Sequence, residues 1–105
     1  MVQVDESQDG NEIELLMGEP FEIRLAENPT TGFRWVLESG GAPACILVED
    51  LYQAPVATPG AGGIHRWWFQ PAQIGEGSIG LCYRRSWEGQ GAAARTFSLR
   101  VRVTK

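Results

Sequence analysis

Apolar and polar residues alternate with a period of two wherever apolar residues cluster, the signature of strands with one buried face. Ile13 and Leu15 alternate with Glu12 and Glu14, predicting a first strand that stops at Met17-Gly18-Glu19-Pro20. Phe21, Ile23 and Leu25 alternate with Glu22 and Arg24 and predict a second, paired to the first as a hairpin through that turn. Phe33, Trp35 and Leu37 against Arg34 and Glu38 give a third, followed by the breaker Ser39-Gly40-Gly41-Ala42-Pro43. A fourth runs from Ile46 to Gln53, and a fifth from Ile64 to Gln70 with Trp67 and Phe69 on one face and Arg66 and Trp68 on the other. The sixth points Ile79, Leu81 and Tyr83 one way, and the last alternates most cleanly, with Phe97, Leu99, Val101 and Val103 against Ser98, Arg100 and Arg102.

No window longer than one turn carries helical periodicity. About seven strands with turn signals at roughly the 8–12-residue spacing of sandwiches predict an all-β, immunoglobulin-like two-sheet β-sandwich. The chain of 105 residues suffices for one domain, residues 1–105, and its 43% apolar content supplies a core without disulfide or metal staples.

Charge and cysteine usage narrow the function classes. The net charge is −4, with acids concentrated in the N-terminal half, so a phosphate backbone is not an expected partner. No stretch approaches the ~20 apolar residues of a membrane span. Residues 1–20 lack the basic start and apolar run of a signal peptide, which places the chain in the cytoplasm if it is complete and in the periplasm or outside the cell if a leader was removed. Cys45 and Cys82 are expected to be free thiols, because the second strand lacks the cysteine of an immunoglobulin bridge and Cys82 is out of phase with Ile79, Leu81 and Tyr83. One histidine and this cysteine spacing argue against a metal site, and no cofactor is implied. An enzyme is disfavoured: His65 reads as a solvent-facing strand residue and neither thiol has a histidine in phase, while Glu12 and Glu14 share a solvated strand face.

In a sandwich, the connections after the second, fourth and sixth strands converge at one end. They read Glu27-Asn28-Pro29-Thr30-Thr31-Gly32, Thr58-Pro59-Gly60-Ala61-Gly62-Gly63 and Arg84-Arg85-Ser86-Trp87-Glu88-Gly89. Loops on a rigid scaffold are where function concentrates. Pro29 sets an extended approach to a turn, Thr30 and Thr31 offer small hydroxyls, and Gly32 allows a positive φ. Taken alone, that hexapeptide reads as a mere turn. The run Gly60 to Gly63 exposes backbone to close approach but lacks the lysine and following helix of a phosphate loop. Trp87 lies where no core periodicity puts it, and an exposed Trp beside Arg85 is a typical hot-spot pair for binding another protein; the alternative is a Trp folded back over the end of the sandwich. A carbohydrate-binding module with Trp68, Trp87 and Tyr52 as a stacking platform, or an adhesion domain, is the competing reading.

The strings Asn28-Pro29-Thr30-Thr31-Gly32-Phe33, Gly60-Ala61-Gly62-Gly63 and Arg85-Ser86-Trp87-Glu88-Gly89 resemble, in order and spacing, the three loop motifs of the chagasin family, and the likeness runs from about Asn11 to Val103. The resemblance implies a monomeric, reversible and non-covalent inhibitor of papain-like cysteine proteases, the clan of papain and the cathepsins. It further implies that Thr30 and Thr31 enter the catalytic cleft, that Gly60 to Gly63 pair through backbone along the substrate groove, and that Arg85 and Trp87 pack on an aromatic wall of the cleft. Ser86 departs from the family, whose third motif usually carries Pro there, a residue that stiffens the loop.

Overall fold

The computed structural model describes residues 2–28, 31–54, 62–85 and 94–105. Eight strands form two four-stranded sheets, the expected sandwich with one strand more than the alternation predicts. They are β1 (Val2–Val4), β2 (Glu12–Leu16), β3 (Phe21–Glu27), β4 (Phe33–Gly40), β5 (Cys45–Gln53), β6 (Gly63–Pro71), β7 (Gly75–Arg85) and β8 (Arg95–Thr104). One sheet has the order β1-β3-β6-β5 and the other β2-β8-β7-β4. The added strand, β1, is three residues long and runs parallel to β3, burying Val4. So short a segment has no alternation to read.

Alternation places the core where it was expected. Phe97, Leu99, Val101 and Val103 face inward from β8, Ile79 and Leu81 from β7, and Trp67 and Phe69 from β6. Phe21 and Phe69 stack at 5.1 Å between ring centroids and close the core at the end away from the three loops.

The predicted hairpin between the first two strands does not form. Gly18 takes a positive φ of 88° and turns the chain as expected, but the turn carries it across the sandwich: β2 joins one sheet, parallel to β8, and β3 the other. The register sets Glu12 beside Arg100 and Glu14 beside Arg102, and Arg102 also reaches Glu76 at 3.1 Å. Opposite charges side by side on an exposed face favour this pairing, whereas the acidic Glu12 and Glu14 against Glu22 in a hairpin would repel.

One expectation about a charged residue is also overturned. His65, expected to face solvent, is 7% exposed, because it shares the inward phase of Trp67 and Phe69. Glu22 lies on the outer face, as the alternation implies, yet it is fully buried there beneath Arg66, whose Nη2 donates to it at 2.7 Å, and Arg24, which also donates to it. A buried carboxylate persists only when paired in this way. The two thiols are free, as expected. Cys45 is buried, which pushes its thiol up to about 11, and Cys82 donates to Glu38 at 2.6 Å.

Candidate functional site: the loop end of the sandwich

The strand registers gather the roots of the three connections at one end. Glu27 at the end of β3 pairs with Gly63 at the start of β6, and Gln53 at the end of β5 pairs with Ile64. In the other sheet Phe33 opens β4 opposite Arg85, and Arg95 opens β8 opposite Tyr83. The connections 28–32, 54–62 and 86–94 therefore leave from one end, as the strand order requires.

Bonds between the sheets lock these roots. The Tyr83 hydroxyl accepts from the Asn28 N–H at 3.1 Å, and the Trp35 indole donates to the Ala26 carbonyl at 2.9 Å. Tyr83 lies between Phe33, stacked at 5.4 Å, and Trp35, tilted at 4.9 Å. Rings in such offset arrangements fix one another in orientation as well as burying area.

Beneath the rings lies a charged cluster that the sequence did not announce. Glu27, 2% exposed, accepts from the Trp35 N–H at 2.6 Å, from Arg34 Nε at 3.1 Å and from His65 Nδ1 at 3.0 Å. The other ring nitrogen of His65 meets Asp50 of β5, and the imidazole stacks on Trp67 at 4.0 Å. Burial by itself would raise the Glu27 carboxyl. Its hydrogen bonds from His65 and Trp35 and the charges of His65 and Arg34 outweigh that and hold it below the usual carboxylate range. Burial by itself would lower His65, but hydrogen bonds to Glu27 and Asp50 and their charges leave it above the ordinary histidine value. The signal for this cluster was present as phase. Glu27 continues the series Phe21, Ile23, Leu25, and Tyr52 and Asp50 face the same interior as His65.

The predicted site residues fall into two groups. Asn28, Thr31, Gly32, Phe33, Gly62, Gly63 and Arg85 are described, and Pro29, Thr30, Gly60, Ala61 and Trp87 lie outside the described residues. In the first loop the Thr31 hydroxyl donates to the Asn28 carbonyl at 2.7 Å and accepts from the Phe33 N–H at 3.3 Å, while Gly32 takes φ 85°. The turn is thus braced from within. Gly63 lies inside β6, where a Cβ would run into the Gln53 carbonyl and the Tyr52 ring, and a Cβ at Gly62 would press on Asn28 at 3.2 Å. Gly62 thus lets the second loop root approach the first, and Gly63 lets the two sides of the second root approach each other. The Arg85 guanidinium lies 4.5 Å over the Phe33 ring, tying the third root to the first.

Trp68 and Tyr52 lie on opposite faces of their sheet, with Arg66 4.6 Å over Trp68 and Arg34 5.6 Å over Tyr52. They share no stacking plane, so the carbohydrate platform has no basis in these two residues. Among the described residues no group of three or more His, Cys, Asp and Glu could hold a metal ion, and no helix is long and apolar enough to cross a membrane.

A β-sandwich that roots three loops at one end, with Glu27, His65 and Arg34 engaged in holding those roots, defines a loop-presenting binding domain. The family description "Chagasin family peptidase inhibitor I42" matches residues 14–101, and the chain belongs to that family. It is 36% identical over 104 residues to Amoebiasin-1 of Entamoeba histolytica, covering 97% of this chain and 99% of that protein. It is 30% identical over 106 residues to Chagasin of Trypanosoma cruzi, covering 96% of each. In fold it is similar to the crystal structure of the cysteine protease inhibitor EhICP2 from Entamoeba histolytica, with a TM-score of 0.87 at 24% identity over 98% of this chain and 95% of that one. The family is one of inhibitors, not of enzymes.

Proposed function

We propose that the chain, acting as one monomeric domain, inhibits papain-like cysteine proteases reversibly by seating its three-loop end in the catalytic cleft. The observation that carries this reading is the convergence of the three motif-bearing connections on one interlocked root. Loops whose roots are fixed before binding lose little freedom on docking, which keeps the entropic cost of association low.

In this reading Thr30 and Thr31 of the first loop lie nearest the protease's cysteine and histidine. The internal brace of the Thr31 hydroxyl supports a turn held in one shape, unlike a substrate that adapts to the cleft. Asn28, Pro29, Gly32 and Phe33 shape that wedge. Gly60, Ala61, Gly62 and Gly63 offer backbone along the groove, and Arg85 and Trp87 pack against its far wall. No bond to the catalytic thiol is formed, and no peptide bond of the inhibitor is presented for cleavage.

Titration of papain with a fluorogenic substrate tests this. Inhibition that reverses on dilution and spares trypsin is expected. Full papain activity at a large molar excess of folded protein would overturn it.

A further inference from the structure

The Glu27–His65–Asp50 cluster is not part of any loop motif, yet it spans both sides of two loop roots. Glu27 closes β3 just before the first loop and accepts from the N–H of Trp35 just after it. Asp50 lies on β5 before the second loop, and His65 on β6 after it. His65 thus bonds to a side chain on each root, Glu27 at the first and Asp50 at the second.

We propose that Glu27, His65 and Asp50 are positioning residues that hold the first and second binding loops in register, and that this hold depends on the proton of His65. The geometry demands a charged ring. A neutral imidazole has one N–H and one lone pair, and here both ring nitrogens face carboxylates, so only the imidazolium donates to both. The groups around the ring are Glu27 from β3, Asp50 and Tyr52 from β5, Arg34 from β4 acting through Glu27, and Trp67 stacked from its own strand.

Loss of the proton has an asymmetric result. Glu27 is fixed by Trp35 and Arg34, so His65 keeps its N–H on that side. The Asp50 side chain is 48% exposed and turns to water when it meets a lone pair. The side-chain tie between β5 and β6 at the root of the second loop is then lost while their backbone pairing, and the fold, remain. The hold is complete between the ordinary carboxylate and the ordinary histidine values and fades as pH rises through the elevated value of His65.

The proposal rests on the inhibitor reading for its protease arm alone. His65 is the sole histidine, so NMR reads its titration without ambiguity in the free protein. It is expected to titrate above about 6.5, with the amide signals of Trp35 and Gly63 moving at the same midpoint. Dissociation from papain, followed from about pH 5 to about pH 8, the span in which histidine charges, is expected to quicken by about three- to tenfold. His65→Gln should remove this inflection, and Asp50→Asn, a change at a partly exposed residue that the fold tolerates, should move it to lower pH. The protease's own titration cancels between variants. A ring titrating at or below about 6.5, or a wild-type profile that superimposes on His65→Gln, would overturn the proposal. If papain is not inhibited at any pH, the inhibitor reading fails, and the NMR midpoints still decide whether the cluster holds the roots.

Discussion

The two ends of the sandwich are built from different materials. At the end away from the loops, Phe21 stacks on Phe69 and Leu15 and Val103 fill the space between sheets, all nearly inaccessible to water. At the loop end, Glu27, His65 and the aromatic trio Phe33, Trp35 and Tyr83 occupy the equivalent place. Apolar contact is non-directional and contributes mostly stability. Hydrogen bonds and stacked rings carry angles, so they contribute position as well. One end therefore holds the fold together, and the other aims the loops.

The sharpest way to break this comparison is to damage the apolar end. Phe69→Ala removes a fully buried ring and its partner for Phe21, at an expected cost of roughly 3–5 kcal/mol of stability. Urea unfolding should show the loss, while the inhibition constant of the protein that remains folded should hardly change. A large loss of inhibition with folding intact would mean that both ends aim the loops.

The converse change lies in the loops themselves. Trp87→Ala should weaken inhibition by about 2 kcal/mol or more, roughly thirtyfold, with little change in melting temperature. A collapse of melting temperature with unaltered inhibition by the folded fraction would make Trp87 a packing residue.

The loop-end cluster should also sign its presence in the pH dependence of stability. Glu27 is held below the ordinary carboxylate value, so its contribution is present above the unfolded value and lost as pH falls through the folded one. His65 is raised, so its contribution is present below the unfolded histidine value and lost as pH rises through the folded one. Stability should peak in mildly acidic solution and decline on both sides. In His65→Gln the decline on the alkaline flank should vanish. Melting curves across pH that are identical for the two proteins would remove His65 from the account.

The same contrast explains what could be read from the chain beforehand. The apolar end follows period-two alternation, which is local, and β6, β7 and β8 were legible from it. The polar end depends on partners far apart in sequence: Glu27 on His65, 38 positions away, and His65 on Asp50, 15 away. A charged residue in an inward phase reads as an interruption until its partner is known, which is why His65 was expected in solvent. The β2–β8 pairing, closed between the two ends of the chain, was hidden for the same reason. The loop motifs were legible as motifs, and their convergence followed from strand order. The internal roles of Thr31, Gly63 and Arg85 were not, because each is defined by a contact to another loop root or turn residue.

The smallest expected effect tests whether stiffness within a loop adds to the aim set at its root. Arg85 is the last residue of β7 and pairs with Phe33, so its backbone is already extended. Proline restricts the residue before it to just that region and fixes its own φ, so Ser86→Pro asks nothing new of Arg85. Fewer unbound arrangements of the third loop would then compete with the bound one. Proline substitutions at compatible positions gain ~0.4–1 kcal/mol, equivalent to about two- to fivefold in the inhibition constant. The gain should appear mainly as slower dissociation from papain, since rates of association vary less among variants of one interface. Because Arg85 on Phe33 holds this root, the melting temperature should move little. An inhibition constant made about tenfold worse at unchanged melting temperature, a loss of about 1.4 kcal/mol, would show that the Ser86 N–H or hydroxyl makes a bond that proline removes. The third loop would then follow a different course from that of its relatives, and the placement of Trp87 against the cleft wall would fall with it.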